Sequence, residues 1–505
     1  MSTTVTLDGR SLTIADVVSV ARHGARVAVD EAAARRAEGS RKTVERAAAG
    51  DEAVYGVNTG FGKLASVRIP RDQLLRLQRN LILSHVAGVG PPLPADVVRA
   101  LMLLRANVLL KETSGVRPAL AEGLSAMLNA GIHPVVPEQG SVGASGDLAP
   151  LAHVALALIG DGDVEVVGKG KRDVSKVAAA AALRSAGIQP IALEAKEGIA
   201  FINGTQAQSA MLALLVADAR SLWRSAHAAA AMSLEAVRGT PAAFDERLHA
   251  ARPHPGQVAS ARLLRELLQD SEIRESHRTN DPRVQDAYSL RCTPQVLGAV
   301  YDAIEFAART VDVELNAATD NPLVLGKDIV SGGNFHGQPV AMALDLLTIA
   351  LTTLAGIAER RVESMVNPDL SQGLPPFLTP HAGLQSGFMM AQVTAAGLVA
   401  ESRSLCSAAS VQSIPTDANQ EDYVPMGMAA AMKARRVCAN AQRVVAVELI
   451  CGAQGLEFLK PLKPGRGVAQ VYRRVRDLVT PLTDDRPLTP DIERVAAMLA
   501  AEAIL

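Results

Sequence analysis

Aromatic residues are scarce in this chain of 505 residues. It contains 1 Trp, 5 Tyr and 8 Phe, which is 3% of the chain, although 48% of all residues are hydrophobic. The core must therefore consist mainly of Ala, Leu, Val and Ile, a composition that favours α-helices. A chain of this length also exceeds what a single hydrophobic core normally supports. We therefore expect two or more packed regions.

The chain also lacks an excess of charge and has few cysteines. Its 51 basic and 52 acidic residues give a formal net charge of -1, so neither nucleic acid nor an anionic membrane is expected as a partner. The four cysteines form no CxxC pair and have no histidine beside them at metal-ligand spacing, which predicts free thiols and no metal site. Asp8 and Arg10 interrupt the N-terminal segment, so we expect no signal peptide and a cytoplasmic location.

Long apolar stretches predict helices that are buried on nearly all sides. The longest stretch, from Pro339 to Arg361, approaches the length of a membrane span, but Asp345 interrupts it. A core helix is the preferred interpretation, and a membrane span is the weaker one. Two more long helices are predicted at 204–237 and 430–460. Several such helices indicate a bundle rather than an α/β sheet.

Strand signals are few and short. The best are TVTLDG at 4–9 and DVEVVGK at 163–169, each a candidate for a hairpin at most. The fold class is therefore predicted to be mainly α. We expect a smaller N-terminal region over 1–110 and a helical-bundle domain over 111–505.

The segment GSVGASGDLAPLAH, residues 140–153, has the most unusual local pattern. Ser145 between glycines suggests a serine nucleophile, but the G-x-S-x-G pattern fails because residue 147 is Asp and no strand precedes the serine. The repeated glycines suggest a phosphate loop, but the lysine of a P-loop is missing. A tight turn followed by an Asp147 helix cap is the simplest structural interpretation.

A chemical interpretation competes with that simple turn, because Ala144-Ser145-Gly146 is a tripeptide that can close on itself. The nitrogen of Gly146 has no neighbouring Cβ to hinder its attack on the Ala144 carbonyl, and glycine tolerates the sharp bend. Loss of water from the ring and from the serine then leaves a conjugated methylene group. Such a group is an electrophile, which ordinary side chains do not supply.

These residues and seven further motifs resemble the aromatic amino acid ammonia-lyase family, and most closely its members that act on histidine. The similarity extends over nearly the whole chain, because the motifs follow one another in order: YGVNTGFGKLA, LSHVAGVG, KEGIAFINGTQ, RVQDAYSLRCTPQVLGA, ATDNPLV, SGGNFHGQPVA and SIPTDANQED. The resemblance implies a fumarase/histidase-like fold with a long central helical bundle. It also implies a homotetramer whose active sites collect residues from several subunits.

The resemblance implies a prosthetic group made from the chain itself. Ala144, Ser145 and Gly146 match the residues that form 4-methylidene-imidazol-5-one (MIO), so no external cofactor is expected. Tyr55, in a glycine-rich loop, matches the family's general base or acid. Because an ordinary tyrosine has a pKa of about 10, a role as base near neutral pH needs a nearby positive charge or strong donors. Tyr288 matches the tyrosine beside the prosthetic group.

Four further residues match substrate-binding positions of the family. Gln285, Tyr288 and Arg291 are spaced by three, so on a helix they would lie along one side. Arg291 suits the substrate α-carboxylate because its guanidinium donates two parallel hydrogen bonds. Asn203 matches an asparagine near the prosthetic group, and Phe335 matches an aromatic residue that packs near its ring. Without the resemblance, a surface ion pair, a turn and a loop anchor would be the ordinary interpretations.

Two positions indicate which amino acid is the substrate. His85 and Glu421 match the pair that addresses the imidazole ring in the histidine-using members, and a site that hydrogen-bonds a polar ring rejects a phenyl ring. His85 also suits a phenol oxygen, so tyrosine stays an alternative substrate. The chain departs from the usual histidine-using motif at Tyr423 and Pro425, where histidine and serine are typical. Both departures lie close to Glu421.

The expected activity is the non-oxidative deamination of L-histidine to trans-urocanate and ammonia. A tyrosine ammonia-lyase, or an aminomutase that uses the same prosthetic group, is the alternative within the family. Outside it, a serine hydrolase that uses Ser145 and a non-catalytic helical scaffold are two further hypotheses. The expected partner is a small amino acid substrate.

Overall fold

The computed structural model describes residues 4–167, 174–279, 281, 283–501 and 504. The described residues are 59% helical and contain nineteen α-helices. The prediction of a mainly α fold is thus confirmed. In chain order the helices are α1 (Ile14–His23), α2 (Glu31–Ala49), α3 (Leu74–His85), α4 (Ala95–Leu109), α5 (Ala119–Asn129), α6 (Leu148–Leu158), α7 (Ala179–Ser185), α8 (Glu197–Ile202), α9 (Gln206–Ala236), α10 (Glu246–Ala250), α11 (Pro255–Leu267), α12 (Glu272–Ser276), α13 (Tyr288–Arg291), α14 (Thr293–Glu314), α15 (Gln338–Val366), α16 (Met389–Ser404), α17 (Gly427–Glu457), α18 (Arg466–Leu478) and α19 (Thr489–Ala501).

The strands are short and form small separate sheets. They are β1 (Thr4–Leu7), β2 (Arg26–Val29), β3 (Val89–Pro92), β4 (Ile132–Pro134), β5 (Pro137–Gln139), β6 (Asp163–Val167), β7 (Val174–Ala178), β8 (Leu323–Leu325) and β9 (Asp328–Val330). The hairpin hypothesis is wrong for β1, which pairs in parallel with β2. The intervening α1 makes this a crossover, because Thr13 and Asp16 form a capping box that starts a helix where a hairpin would turn. The hypothesis is correct for β6, which pairs antiparallel with β7; residues 168 and 169 of the predicted strand lie outside the described part of the chain.

The chain packs into two compact units. The first contains residues 1–217, 307–345 and 408–432, and the second contains 218–306, 346–407 and 433–505. The division into 1–110 and 111–505 stays a prediction. Boundaries between the units fall inside α9, α14, α15 and α17.

The first unit has an apolar interior around α4. This helix is buried along nearly all its length and packs on α1 and α5, while α6 packs on α3 and α8. Arg105, on α4, is fully buried among carbonyl groups rather than paired with a carboxylate. The ends of α3 and α8 and the start of α6 carry the residues of the candidate site.

The second unit contains a buried ion pair between helices. Arg361 donates to Glu448 at 2.9 Å, and both side chains have no solvent exposure. Ser233 donates to the same carboxylate at 2.8 Å, so the charge is also satisfied by a neutral donor. Trp223, the single tryptophan, donates its ring N–H to the Leu297 carbonyl at 2.7 Å. These four buried polar side chains therefore have partners, as burial requires.

The three long helices predicted from apolar stretches are present as α9, α15 and α17. Pro339 is the second residue of α15, where a missing N–H costs no hydrogen bond. By length and composition alone, α15 would suffice to cross a membrane, but 67% of its most apolar window is buried inside the protein. The core-helix interpretation agrees with this burial.

Candidate active site

The Ala144–Gly146 turn is folded tightly between two glycines. Gly143 and Gly146 pair across it, and both have a φ of 75°, which side chains rarely allow. Gly146 also pairs with Gly204, and a Cβ at Gly146 would lie 2.2 Å from the Gly204 carbonyl oxygen. Glycine is therefore required at position 146 both by conformation and by space.

The Asp147 side chain holds this turn in place through hydrogen bonds. It precedes α6, but its side chain makes no hydrogen bond to that helix, so the cap interpretation is wrong for the carboxylate. Instead, Oδ2 accepts from the backbone N–H groups of Ala207 and Gln208 at 3.0 and 2.9 Å. Oδ1 accepts from the Ser141 hydroxyl at 2.9 Å. Burial raises the pKa of Asp147 to about 6, against the effect of these hydrogen bonds. The carboxylate thus ties the turn to the start of α9, where unpaired N–H groups attract an anion.

Asn203 contacts the turn from the end of α8. Its Nδ2 donates to the Ser145 carbonyl oxygen at 2.9 Å. Its Oδ1 is buried and accepts no hydrogen bond from any residue that the structure describes. Arg105 fixes the backbone around Asn203, because its guanidinium donates to the carbonyls of Ala200 and Asn203 and to Gln206. The Asn203 side-chain amide is therefore held in place beside the turn, and its Oδ1 has no hydrogen-bond partner among the described residues.

A cavity of about 670 Å³ opens on one side of the turn. Five residues predicted from the sequence line it together: Tyr55, His85, Ser145, Asn203 and Glu421. Most of the remaining residues that line the cavity are apolar: Phe61, Leu64, Val67, Ile69, Leu77, Leu81, Leu148 and Ile199. A volume of this size with few polar groups is typical of a small-molecule site. Among described residues, no three His, Cys, Asp or Glu side chains are placed to hold a metal ion.

His85, the last residue of α3, has a defined ring orientation. Its Nδ1 is 2.8 Å from the Leu81 carbonyl oxygen, which accepts only if Nδ1 carries the proton. Burial lowers the pKa of His85, although the Leu81 carbonyl and the carboxylates of Glu421 and Asp417 oppose this shift. The ring is therefore neutral near pH 7, and Nε2 remains as a hydrogen-bond acceptor.

Glu421 is held by two hydroxyl groups. Ser145 Oγ donates to Oε1 at 2.6 Å, and Thr416 Oγ1 donates to Oε2 at 2.6 Å. Backbone N–H groups and carbonyls of Thr416 and Glu421 also pair with each other, which closes the turn between them. The carboxylate is thus fixed beside the serine of the tripeptide.

Tyr55 lies in the loop that precedes α3, and its hydroxyl oxygen accepts from the Gly62 N–H at 3.4 Å. Burial raises the pKa of Tyr55, and the carboxylates of Asp417 and Glu421 raise it further. These groups therefore hold the phenol in its protonated form. The positive charge that a role as base requires is not among the groups that act on Tyr55 within this unit.

Two departures from the usual motif lie beyond Glu421. The exposed Tyr423 ring stacks on His336, with ring centroids 6.2 Å apart, and the Tyr423 carbonyl is 3.2 Å from His336 Nε2. Pro425 lies against Gly143, where a Cβ would come within 3.2 Å of the proline ring. Tyr423 therefore covers the outside of the loop, whereas Pro425 supports the tripeptide turn.

Phe335 lies half-buried in the loop that precedes α15. Two residues later, the Gly337 N–H donates to the Gly143 carbonyl at 3.2 Å. This backbone contact brings the Phe335 loop next to the tripeptide turn, although Phe335 is not among the residues that line the cavity.

The remaining three predicted residues belong to the second unit. Gln285 and Tyr288 are exposed, and the Arg291 guanidinium stacks on the Tyr288 ring at 4.7 Å. The three residues do not share one helix, because α13 begins only at Tyr288. The preceding segment is held outside a helix by Asp286, which accepts from the Thr240 N–H at 2.6 Å. Arg291 Nε is buried without a partner in the described part of the chain.

Sequence reasoning missed three residues that shape the site. Asp417 lines the cavity, Thr416 holds Glu421, and Arg105 fixes the Asn203 backbone. Asp417 and Thr416 belong to the quoted SIPTDANQED motif. Their closeness in sequence to Glu421 was a signal that they contribute to the site. Arg105 lies in α4, which is rich in apolar residues, and a charged residue among them marks a buried polar contact.

Comparison with known proteins identifies the family and the fold of this chain. Residues 12–477 match the model of the aromatic amino acid lyase family. The chain is 53% identical to histidine ammonia-lyase of Anaeromyxobacter sp. (strain K), over 98% of each chain. The crystal structure of histidine ammonia-lyase from Trypanosoma cruzi has a TM-score of 0.91 and 42% identity, over 99% of this chain and 94% of that one. The tyrosine aminomutase structure from Streptomyces globisporus has a TM-score of 0.92 and 40% identity, over 98% and 97%. These similarities confirm the predicted histidase-like fold, and the chain belongs to the aromatic amino acid lyase family.

Proposed function

We propose that this protein removes ammonia from L-histidine without oxidation and releases trans-urocanate. The observation that carries the proposal is one cavity lined by the tripeptide serine, Ser145, together with His85 and Glu421. The 53% identity to a histidine ammonia-lyase supports the same reaction. A neutral His85 and a fixed Glu421 carboxylate each offer a hydrogen-bond acceptor, which suits a ring that carries N–H donors.

We propose that Ala144, Ser145 and Gly146 form MIO. The surroundings fit this group in two respects. Gly146 has no room for a side chain, and the Asn203 amide donates to the Ser145 carbonyl, which would become the carbonyl of the ring. When formed, the group supplies the electrophile that makes the amine a better leaving group. Loss of the Ser145 hydroxyl as water would leave Glu421 Oε1 free to accept from the substrate ring.

The side chains of the chain then have separate tasks. Tyr55, protonated within its own unit, holds a proton at its hydroxyl oxygen, and deprotonation for a role as base requires a positive charge from outside this unit. His85 Nε2 accepts from the substrate imidazole N–H or from the phenol of an alternative substrate. Asn203 Oδ1, buried and without a partner among described residues, is available to accept from the substrate ammonium group.

The α-carboxylate is assigned to Arg291, with Gln285 and Tyr288 beside it. Phe335 is assigned to the packing around the tripeptide turn, near Gly143. We propose that these residues complete the site in a homotetramer, in which several subunits contribute to each active site. The exposure of Gln285 and Tyr288 in the single chain supports a role at a surface that a partner covers. A cytoplasmic location is part of the same proposal.

A second candidate is an aminomutase or ammonia-lyase that acts on tyrosine. Its support is the 40% identity to the tyrosine aminomutase structure and the ability of His85 to bond a phenol. Glu421 favours histidine, since a carboxylate gains one hydrogen bond from a phenol, whereas it can also balance the positive charge of a protonated imidazole.

The test is to supply the purified full-length protein separately with L-histidine, L-tyrosine and L-phenylalanine and to measure ammonia and ultraviolet-absorbing product. Urocanate from histidine alone is the expected result. Coumarate or β-tyrosine from tyrosine, without urocanate from histidine, would replace the proposal by the second candidate. Absence of any product with all three would overturn both.

A further inference from the structure

Asp417 lies in a turn with an unusual backbone, between Thr416 and Glu421. The φ angles of Asp417, Ala418 and Asn419 are 48°, 50° and 64°. Three successive residues other than glycine rarely adopt this left-handed conformation, and such turns persist when outside contacts hold them. The contacts of the Asp417 side chain are therefore informative.

The Asp417 carboxylate reaches the loop that contacts Tyr55. Its Oδ2 accepts from the Lys63 N–H at 3.0 Å, and a Cβ at Gly62 would lie only 2.1 Å from the same oxygen. Gly62 in turn donates its N–H to the Tyr55 hydroxyl at 3.4 Å. Residues 60–64 are therefore connected on one side to Tyr55 and on the other side to Asp417.

The turn that carries Asp417 also fixes Glu421, through the Thr416 hydroxyl and the paired backbone groups of Thr416 and Glu421. We propose that Asp417 is a positioning residue that links the 60–64 loop to the 416–421 turn, and so sets the distance between Tyr55 and Glu421 across the cavity. The proposal rests on the proposed function for its catalytic consequence, but the link itself does not depend on the substrate.

An aspartate suits this position better than a neutral residue for two reasons. A carboxylate is a stronger acceptor for a backbone N–H than a hydroxyl or an amide oxygen. Its negative charge also faces the cavity, where the titratable side chains are Tyr55, His85, Asp417 and Glu421. Asp417 adds to the effect of burial in raising the pKa of Tyr55, so its charge keeps a proton on the phenol.

Limited trypsin digestion tests the link without reference to activity. Lys63 is exposed, so opening of the loop allows cleavage after it. Asp417→Gly removes the acceptor and suits the left-handed backbone, so the fold is expected to persist. We expect cleavage after Lys63 to be about tenfold faster in Asp417→Gly and near the normal rate in Asp417→Asn, which retains an acceptor oxygen. Glu52→Gln, an exposed carboxylate three residues before Tyr55, is the matched control and should change nothing.

A double-mutant cycle with Gly62→Ala approaches the same contact from the other loop. In the normal chain the new methyl group would collide with Asp417, whereas in Asp417→Gly it would not. We therefore expect Gly62→Ala to accelerate cleavage more in the normal background than in the Asp417→Gly background. Equal effects in both backgrounds, or equal cleavage of Asp417→Gly and the normal chain, would overturn the proposal.

The pH dependence of kcat/KM separates the link from simple packing. Removing the charge in Asp417→Asn lowers the pKa of Tyr55, so the limb of the profile that reports the phenol should move to lower pH. An unmoved limb would contradict the electrostatic part of the proposal. If the normal protein converts no amino acid, the proposed function fails, whereas the trypsin comparison still decides whether the link exists.

Discussion

The residues assigned to substrate binding form two groups that differ in burial. In the first unit, Asn203 is 4% exposed and Ser145 is half-buried, and both are hydrogen-bonded to other residues of the same unit. In the second unit, Tyr288 is 71% exposed and Val284, beside Gln285, is 97% exposed. Buried polar groups must find partners when the chain folds, whereas exposed ones need none. The difference supports the proposal that the ring-recognising side is ordered by the chain itself and that the carboxylate-binding side is completed by another subunit.

The largest effect should follow from Ser145→Ala, which removes the hydroxyl needed for dehydration in the first group. We expect kcat for histidine to fall at least about 10³-fold, because the electrophile cannot form. Circular dichroism and oligomeric state should be unchanged, since position 145 tolerates a smaller side chain in a half-buried turn. Ser66→Ala, at an exposed serine of the same unit, is the control. Normal turnover in Ser145→Ala would contradict the MIO proposal.

Each unit contains a buried histidine that should make the fold less stable in acid. Burial lowers the pKa of His133 in the first unit and of His227 in the second to about 4. In the unfolded chain these histidines titrate near pH 6.5. The contribution of each neutral, buried histidine to the free energy of unfolding is therefore fully present above that pH. It falls by about 3 kcal/mol per residue as the pH drops toward 4.

Melting temperatures measured between pH 7 and pH 4 test this acid sensitivity. His133→Gln and His227→Gln should each flatten the decline, because the buried titrating group is gone, whereas His381→Gln, at an exposed histidine, should not. A variant whose decline remains as steep as that of the normal protein would show that its histidine is not the titrating group.

Arg291 tests whether the group in the second unit takes part in binding at all. Arg291→Ala should raise KM for histidine about 100-fold through loss of a charged, two-pronged contact, and Arg291→Lys should recover part of the loss. Arg252→Ala, at an exposed arginine of the same unit, serves as control. An unchanged KM in steady-state assays would remove the second group from the site.

Glu421→Gln tests selectivity within the first group. The amide keeps the shape of the carboxylate but loses its charge, so kcat/KM for histidine should fall about tenfold while any turnover of tyrosine changes less. Parallel assays with both amino acids, and with Glu52→Gln as control, give the comparison. Equal losses for the two substrates would show that Glu421 does not select the ring.

Tyr423→His should have the smallest effect, because Tyr423 is exposed and stacks on His336 rather than on the cavity wall. We expect kcat/KM for histidine to change less than about threefold. A larger gain would mean that the tyrosine at this position has altered how Glu421 is held.

The long helices and the tripeptide were predictable from sequence because each depends on local pattern. Apolar runs predict α9, α15 and α17, and the order Ala144-Ser145-Gly146 suggests cyclisation as one of two interpretations of that turn. The role of Asp147 was not predictable, since its partners Ala207 and Gln208 lie sixty residues away.

Local spacing also failed where a tertiary contact overrides it. Gln285, Tyr288 and Arg291 have helical spacing, but α13 begins only at Tyr288, and the Thr240 N–H donates to the Asp286 side chain in the preceding segment. Likewise β1 finds its partner only after α1, so alternation alone could not reveal a parallel pair. In each case the deciding group is distant in sequence.

The close approach of Gly146 to Gly204 has a consequence for how the enzyme matures. The surfaces that shape the tripeptide come from the 203–208 segment, which is synthesised after it. A chain in which this segment has not yet packed against the tripeptide lacks the contacts that would hold it in the shape for ring closure. Catalytic activity would therefore be acquired only by correctly folded molecules. Transfer of the three residues alone to another scaffold would accordingly yield an ordinary loop, and a successful transplant must carry the later segment with it.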